Sequence, residues 1–498
     1  MSTGTEELLH DLLDQAAART PHRPAVSDDG LSWTFAELRD WSVRFARWLS
    51  LKGVRPGDRV VVRAPNSPYL AASVFGVSRV GAVFVPISPA VSAYQFGHIV
   101  KDADPALVLD EGHMHTPWTE FAASWAKAGP APEGKATTGG HAKSLALLMY
   151  TSGSTAMPKG VACQHDQVLY AVKAIAERLS YTSTDVIFLA LPMSFDYGLY
   201  QLFLSVVASA QLSIGTVGDT AGLLPGIRRS GATIVPVVPT LAVLLVRMAA
   251  RRGVSGCRVR LFTNTGARLG TPLARQLRES FPGAAVTQMF GITECKRVSI
   301  GLPDEDLIRE GSLGTALRGT IIRVLDDRGL PVKAGVEGQI AVVGPHVMRG
   351  YWRAPDLTNE RFVKDPVSGE RMLLTGDYGL LDLSGNLYFR GRRDDIFKRR
   401  GMRVSASEIE AAAEEVSGVA RAALVREGER LYLAVTGSIS PSALLEELTR
   451  RLEPAKRPDA CVIVPELELT TNGKVDRAAV ARRILSQSGA SPVGDGHA

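Results

Sequence analysis

Apolar residues recur along this chain at two spacings, and the change from one to the other marks out its elements. Residues 5–55 look helical at both ends, with a turn over Pro21–Gly30 and a clear helical period over Thr34–Leu51. Short runs of valine, leucine and alanine follow. Arg59–Ala64 and Ala82–Pro86 read as strands around a helix over Tyr69–Arg79, and Leu107–Asp110 adds a further short strand. Leu145–Tyr150 is uninterruptedly apolar, as a strand covered on both faces requires. Beyond it, strands are predicted at Val186–Ala190, Leu212–Thr216, Thr233–Val235, Val259–Thr263 and Ala285–Met289, with helical patterns between most of them. That order argues for βαβ units around a mainly parallel sheet.

From Thr320 to Phe389 the rhythm changes to short strands separated by Asp-Arg-Gly, Ser-Gly-Glu and Ser-Gly-Asn turns, the pattern of a compact β-rich module. Charge density then rises through Arg392, Arg393, Asp394, Asp395, Lys398, Arg399, Arg400 and Arg403. After it come a helix over Ser407–Val416, a hairpin over Val419–Val435 and helices over Pro441–Leu452 and Arg477–Leu485. The expected class is α/β: a large N-terminal domain of βα-layered sheets plus a β-rich module (residues 1–393), then a small α+β domain (394–498). The Ser-, Gly- and Pro-rich stretch 486–498 reads as disordered.

Composition narrows the function. With 498 residues, 45% hydrophobic and 22% charged, this is an ordinary globular composition with room for more than one core. A net charge of +6 over that length does not argue for a nucleic-acid partner. No apolar run reaches transmembrane length, and Met1–Asp14 lacks a basic–apolar signal pattern, so no membrane association is expected. Cys163, Cys257, Cys295 and Cys461 are scattered without paired spacing, as in a reduced, cytoplasmic protein. His113 and His115 lack a third ligand and read as loop. Gly129–Ala136 imitates a P-loop but lacks the terminal hydroxyl and a preceding strand.

The chemistry is concentrated in Tyr150-Thr151-Ser152-Gly153-Ser154-Thr155-Ala156-Met157-Pro158-Lys159-Gly160. Such a loop brings backbone N–H groups and hydroxyls against phosphate oxygens, with Lys159 as a counter-charge. It is not the nucleotide loop G-x-x-x-x-G-K-[ST], because its lysine follows proline. The stretch resembles the phosphate loop of the acyl-adenylate-forming family (peptide-synthetase adenylation domains, acyl-CoA synthetases, luciferases), with Ala156 where the family has glycine. The resemblance continues in the family's order along about residues 5–485. It implies ATP and Mg²⁺ as cofactors, and a small C-terminal domain that moves.

Residue by residue, the resemblance gives Thr151, Ser152, Gly153, Ser154 and Thr155 to the phosphates, and Gly266, Ala267 and Arg268 to the adenine. Phe290 and Gly291 resemble the start of the family's Y-G-x-T-E motif, where an aromatic ring stacks on the base. In the same motif Thr293 offers a hydroxyl to phosphate, and Glu294 is a hard oxygen ligand suited to Mg²⁺. Asp377 matches the aspartate that accepts the ribose hydroxyls, and Arg392 the arginine that reaches ribose or phosphate. Asp394 matches the hinge. Lys474, in Asn472-Gly473-Lys474, matches the lysine that bridges the substrate carboxylate and the α-phosphate. Lys398 matches one used near the second half-reaction, where a pantetheine path opens beside Gly401.

The acid is addressed by two stretches. Asp196 and Tyr197 fall where amino-acid-activating members carry F-D-x-S and pair the aspartate with a substrate ammonium. A buried carboxylate needs a cation, either the substrate's or the protein's own. Lys296 and Arg297 follow Glu294 where many fatty-acid ligases would be apolar; they suit a polar zwitterion with a second carboxylate, or else pair within the protein. The combination resembles freestanding ligases that load β-amino acids, 3-methylaspartate among them, onto carrier proteins. The expected acceptor is the phosphopantetheine of a separate acyl or peptidyl carrier protein, with coenzyme A as the rival. The rival acid is a non-amino carboxylic acid.

Overall fold

The computed structural model describes residues 7–110, 140–151, 157–392, 396–399, 402–428, 430–452, 454, 456–470 and 475–487. Among these, one sheet of six strands has the order 350–351, 159–164, 145–151, 83–87, 59–63, 107–110. Strands 107–110, 59–63, 83–87 and 145–151 run parallel, and Lys159–Gln164 folds back antiparallel so that Lys159 faces Thr151. Val60, Val61, Val62, Val83, Phe84 and Val85 are all buried, so both faces of this sheet are covered.

A second sheet of 14 strands changes character part-way. Pro24–Ser27, Gln211–Ile214, Val186–Leu189, Ile234–Val237, Leu261–Asn264 and Ala285–Phe290 form its parallel half. From Ala285–Phe290 onward the pairing is antiparallel, through Ser299–Ile300, Ser312–Ala316, Asn386–Arg392, Arg371–Leu381, Gly338–Val343 and Ile321–Leu325. The two architectures expected from the sequence are therefore halves of one sheet. Between strands, helices start on local signals. Thr34 and Glu37 form a capping box ahead of Phe35–Leu51, and Ser67 caps Pro68–Val80, which Gly81 ends at φ 76°.

Past Met402, the strands Val419–Glu427 and Arg430–Gly437 pair as the expected hairpin, and Ala460–Ile463 joins it in parallel. Helices Ala406–Glu414, Pro441–Arg451 and Arg477–Gln487 complete this unit. The buried residues of its apolar clusters run from Val404 to Ile484, with Phe397 packed against them.

Several elements depart from expectation. The Pro21–Gly30 turn contains the strand Pro24–Ser27, which pairs with Ser32–Thr34. Ala93–Ala103 is a helix, and Ala460–Ile463 is a strand. The two strands are four residues or fewer, too short for a period to register, and are held by pairing with distant neighbours. Among the described residues no helix is long and apolar enough to cross a membrane.

Candidate active site

The parallel half of the large sheet ends at a cleft. Strand Leu261–Asn264 delivers Thr265–Leu269 to it, and Ala285–Phe290 delivers Gly291–Glu294, at the edge where pairing turns antiparallel. A cavity of about 350 Å³ lies there. Its wall also takes Met149–Thr151 from the six-stranded sheet, Asp377 and Arg392 from the antiparallel half, and Thr470 and Val475 from the C-terminal unit.

At one end are the residues expected to hold a nucleoside. Gly266 turns the chain at φ 85°, and a Cβ there would come 3.2 Å from Phe195 Cζ. Ala267 and Arg268 follow on the wall, Arg268 being exposed. Phe290 and Phe389 lie with ring centroids 6.0 Å apart, tilted by 33°, and both border the cavity. Asp377 is buried behind a tight turn. The Thr375 hydroxyl accepts the Asp377 N–H at 3.0 Å and donates to the Ile340 carbonyl at 2.6 Å. Arg392 Nε stands 3.5 Å from Asp377 Oδ1.

Beside this lies the carboxylate of Glu294. Its Oε1 accepts the Tyr351 hydroxyl at 2.5 Å, and its backbone carbonyl accepts the Met348 N–H at 2.8 Å. Burial and the Glu294 charge both push the Tyr351 phenol up, so it stays a donor. One anchored carboxylate with the Thr293 hydroxyl beside it on the cavity wall fits Mg²⁺, which commonly takes one or two protein oxygens plus those of phosphate.

The other end is charged and dry. Asp196 opens the helix Asp196–Ala208, 5% exposed, where the helix dipole favours an anion. The Tyr197 hydroxyl bonds to the Thr263 carbonyl at 2.6 Å, tying that helix start to a central strand. Tyr197 is thus fully buried and off the cavity wall, a platform under Arg297, whose guanidinium sits 4.9 Å above its ring. Arg297 borders the cavity and donates to the Lys296 carbonyl at 2.7 Å. Lys296 is 1% exposed, adopts φ 64°, and lies behind the wall with its Nζ 5.6 Å from the Tyr200 ring centroid. Its Nζ lies beside the buried Cys163 thiol, and among the described residues the Tyr200 hydroxyl has no hydrogen-bond partner. Among the described residues Asp196 makes no ion pair, so the internal salt bridge open to it in the sequence is not formed there. Gly291 cannot carry a side chain: its Cβ would fall 2.0 Å from the Lys296 carbonyl oxygen.

The expected residues therefore converge, with exceptions. Thr151, Asp196, Gly266, Ala267, Arg268, Phe290, Gly291, Thr293, Glu294, Arg297, Asp377 and Arg392 share one wall. Lys159 heads the strand opposite Thr151, off that wall. Ser152, Gly153, Ser154, Thr155, Asp394 and Lys474 lie outside the described residues, as do Gly401, the Lys398 side chain, His113, His115 and Gly129–Ala136. Tyr351, Arg361 and Phe389 are additions that sequence reading missed. Their partners lie 57, 13 and 99 residues away, and only the sheet brings them together.

The family profile of the AMP-binding enzymes matches residues 13–352, and that of the AMP-binding enzyme C-terminal domain matches 408–474. The chain belongs to the AMP-binding enzyme family. Its class is that of an AMP-forming ligase. Curated relatives include the probable non-canonical nonribosomal peptide synthetase CymA of Salinispora arenicola, 30% identical over 94% of this chain. Another is the AMB antimetabolite synthetase AmbB of Pseudomonas aeruginosa, 31% identical over 95%. The chain spans only 6% of the first and 39% of the second. Among solved structures, VinN in complex with L-aspartate is 37% identical, covering 78% of this chain and 99% of VinN, with a TM-score of 0.68. ATP-bound MatB from Rhodopseudomonas palustris is 26% identical, covering 95% and 98% of the two chains, with a TM-score of 0.83.

Proposed function

We propose that this enzyme activates a small amino acid carrying a second carboxylate, aspartate-like or β-amino, and passes it to the phosphopantetheine thiol of a separate carrier protein. The observation that carries this reading is the acyl end of the cavity, where Asp196, without an ion pair among the described residues, and Arg297 both border the cavity, with the buried Lys296 behind the wall. An ammonium answers the first and a carboxylate the second, with the Lys296 charge behind it. The aspartate named in the VinN complex agrees with that pairing.

In the first half-reaction an oxygen of the free carboxylate attacks the α-phosphorus of ATP, the P–O bond to the β-phosphate breaks, and pyrophosphate leaves. Phe290 and the Gly266–Arg268 turn hold the base, and Asp377 with Arg392 holds the ribose. Lys474 neutralises charge on both reactants at the α-phosphate, supported by the presence of its chain neighbour Val475, and of Thr470, in the cavity wall. Lys159 and the Thr151–Thr155 loop hold the outer phosphates. A Mg²⁺ ion on Glu294 and Thr293 would offset the charge of the departing pyrophosphate. In the second half-reaction a thiolate attacks the acyl carbon and AMP leaves, after the unit beyond Asp394 has rotated to withdraw Lys474.

Pyrophosphate exchange across α-amino, β-amino, amino dicarboxylic and fatty acids tests the substrate, and a fatty acid giving the highest rate overturns the reading. Lys474→Ala tests the alternation: adenylation falls steeply while thiolation of preformed adenylate survives, and equal loss in both steps refutes it. One observation favours a second reading, coenzyme A as acceptor. A solved O-succinylbenzoate coenzyme A synthetase of Bacillus subtilis covers 95% of this chain at 25% identity and a TM-score of 0.82, against 78% for VinN. Faster thiolation of coenzyme A than of any holo-carrier protein would decide for it.

A further inference from the structure

Arg361 is a buried-edge cation of the cleft that none of the expected motifs includes. It closes the helix Pro355–Arg361, its side chain borders the cavity, and among the described residues no carboxylate lies within ion-pair distance of it. The side chain is nonetheless held in place. Nε donates to the Leu374 carbonyl at 2.8 Å and Nη2 to the Thr375 carbonyl, so the fork clasps the turn that presents Asp377. The guanidinium also lies flat against Gly376, at φ 76°, where a Cβ would come 3.1 Å from Nη1. That close approach leaves glycine as the residue that fits there.

A guanidinium has five N–H groups, and two are spent on those carbonyls, which leaves three directed elsewhere. Their surroundings are informative. Both Arg361 and Arg392 act electrostatically on the Tyr351 phenol, which itself holds Glu294. Arg361 is bonded to the turn that presents Asp377 and shares the cavity wall with the Glu294 carboxylate. Arg392 already has Asp377 as a counter-ion at 3.5 Å, whereas among the described residues Arg361 is bonded only to carbonyl oxygens. An immobilised guanidinium with unspent donors and no anion is a phosphate clamp in waiting.

We propose that Arg361 contacts the phosphate chain of ATP. This rests on the reading that the cavity takes ATP, with its base near Phe290. The arginine then links two tasks, since the same fork that fixes the Asp377 turn also grips the phosphates. Binding of ATP and of adenosine, by calorimetry on the full chain, separates the possibilities. Arg361→Gln keeps a donor for the turn but removes the charge; Arg361→Met removes both. The expected result is that Arg361→Gln weakens ATP about 10- to 100-fold, as loss of charge-assisted bonds does, and leaves adenosine within about twofold. In turnover the KM for ATP should rise while the KM for the acid stays put. Equal weakening of ATP and adenosine in Arg361→Gln would make the residue a brace for the turn and overturn the proposal, as would unchanged ATP binding. Should the wild-type chain bind neither ligand, the failure lies with the ATP reading of the cavity. Should Arg361→Met not fold, the Gln variant still decides.

Discussion

Replacing Lys296 with methionine should make this protein more stable and less active towards its own substrate. The ammonium is 1% exposed, 5.6 Å from the Tyr200 ring centroid and beside the Cys163 thiol, and among the described residues no carboxylate pairs with it. A favourable ring contact is worth about 0.5–2 kcal/mol, whereas taking an ammonium out of water costs several kcal/mol even after relaxation. The residue also holds φ 64°, a left-handed conformation that costs a side-chain-bearing residue roughly 1 kcal/mol and that methionine inherits. What Lys296→Met removes is the charge, at nearly constant volume. Swapping a buried charge for an apolar side chain stabilises by about 1–4 kcal/mol, which raises the melting temperature by about 1–4 °C in a chain of this size.

The same change should remove positive charge from behind Arg297, the wall residue that answers the second carboxylate. Losing one member of a buried charged pair costs about 2–4 kcal/mol, a ~30- to 1000-fold fall in kcat/KM for an amino dicarboxylic acid. A neutral amino acid of similar length should lose nothing. Melting by circular dichroism and pyrophosphate exchange with the two acids give both readouts on one preparation. A lower melting temperature together with equal losses for both acids would refute the reasoning, because Lys296 would then be a structural cation.

Asp196→Asn should cut exchange about 100-fold for the amino acid and spare its desamino analogue, since only the ammonium loses its counter-ion. Gly291→Ala should lower the melting temperature and abolish exchange, because its Cβ would meet the Lys296 carbonyl oxygen at 2.0 Å and backbone cannot give way cheaply. Burial lowers the pKa values of His165 and His346 from 6.5 to about 4. The unfolded chain therefore takes up these protons first, so their stability is full above pH 6.5 and drains as pH falls towards 4. At pH 5.5 each should have lost about 1.4 kcal/mol. Urea titrations from pH 7.5 to 5 measure that slope, and His346→Gln should flatten it by half.

How much of this was legible in the chain depends on how local each cause is. The parallel strands announced themselves because burial on both faces leaves nothing but apolar residues, as in Val60–Val62 and Leu145–Met149. Glycines at Gly266, Gly291 and Gly376 sit in short motifs, and each is explained by a turn or a close approach. Asp196 and Arg297 were found because their neighbours in sequence mark the place. Tyr351 was invisible, since nothing near residue 351 says that its hydroxyl will reach Glu294. Arg361 was hidden for the same reason, as its bonds run to a strand two elements on. Tyr197 had been expected at the substrate, and its hydroxyl is instead spent on Thr263, a pairing set by where the helix Asp196–Ala208 crosses the sheet.

Charge neutrality at the acyl end sharpens the choice among acids more than pocket size does. Asp196, Lys296 and Arg297 sum to one positive charge in a place shielded from water. A fatty or aromatic acid brings one negative charge but leaves Asp196 without a cation, and a buried lone carboxylate costs several kcal/mol. A simple α-amino acid satisfies Asp196, yet its only carboxylate must face the α-phosphorus, so Lys296 and Arg297 stay unanswered. An amino dicarboxylic acid carries one net negative charge, places its ammonium on Asp196 and its spare carboxylate on Arg297, with Lys296 behind it, and still offers the other carboxylate to ATP. Once that group becomes the mixed anhydride of the acyl adenylate, the remaining ammonium and carboxylate still answer Asp196 and Arg297. On the proposed reading, this class alone gives Asp196 a cation and Arg297 an anion both before and after adenylation, and that is a thermodynamic reason for the pocket to prefer it.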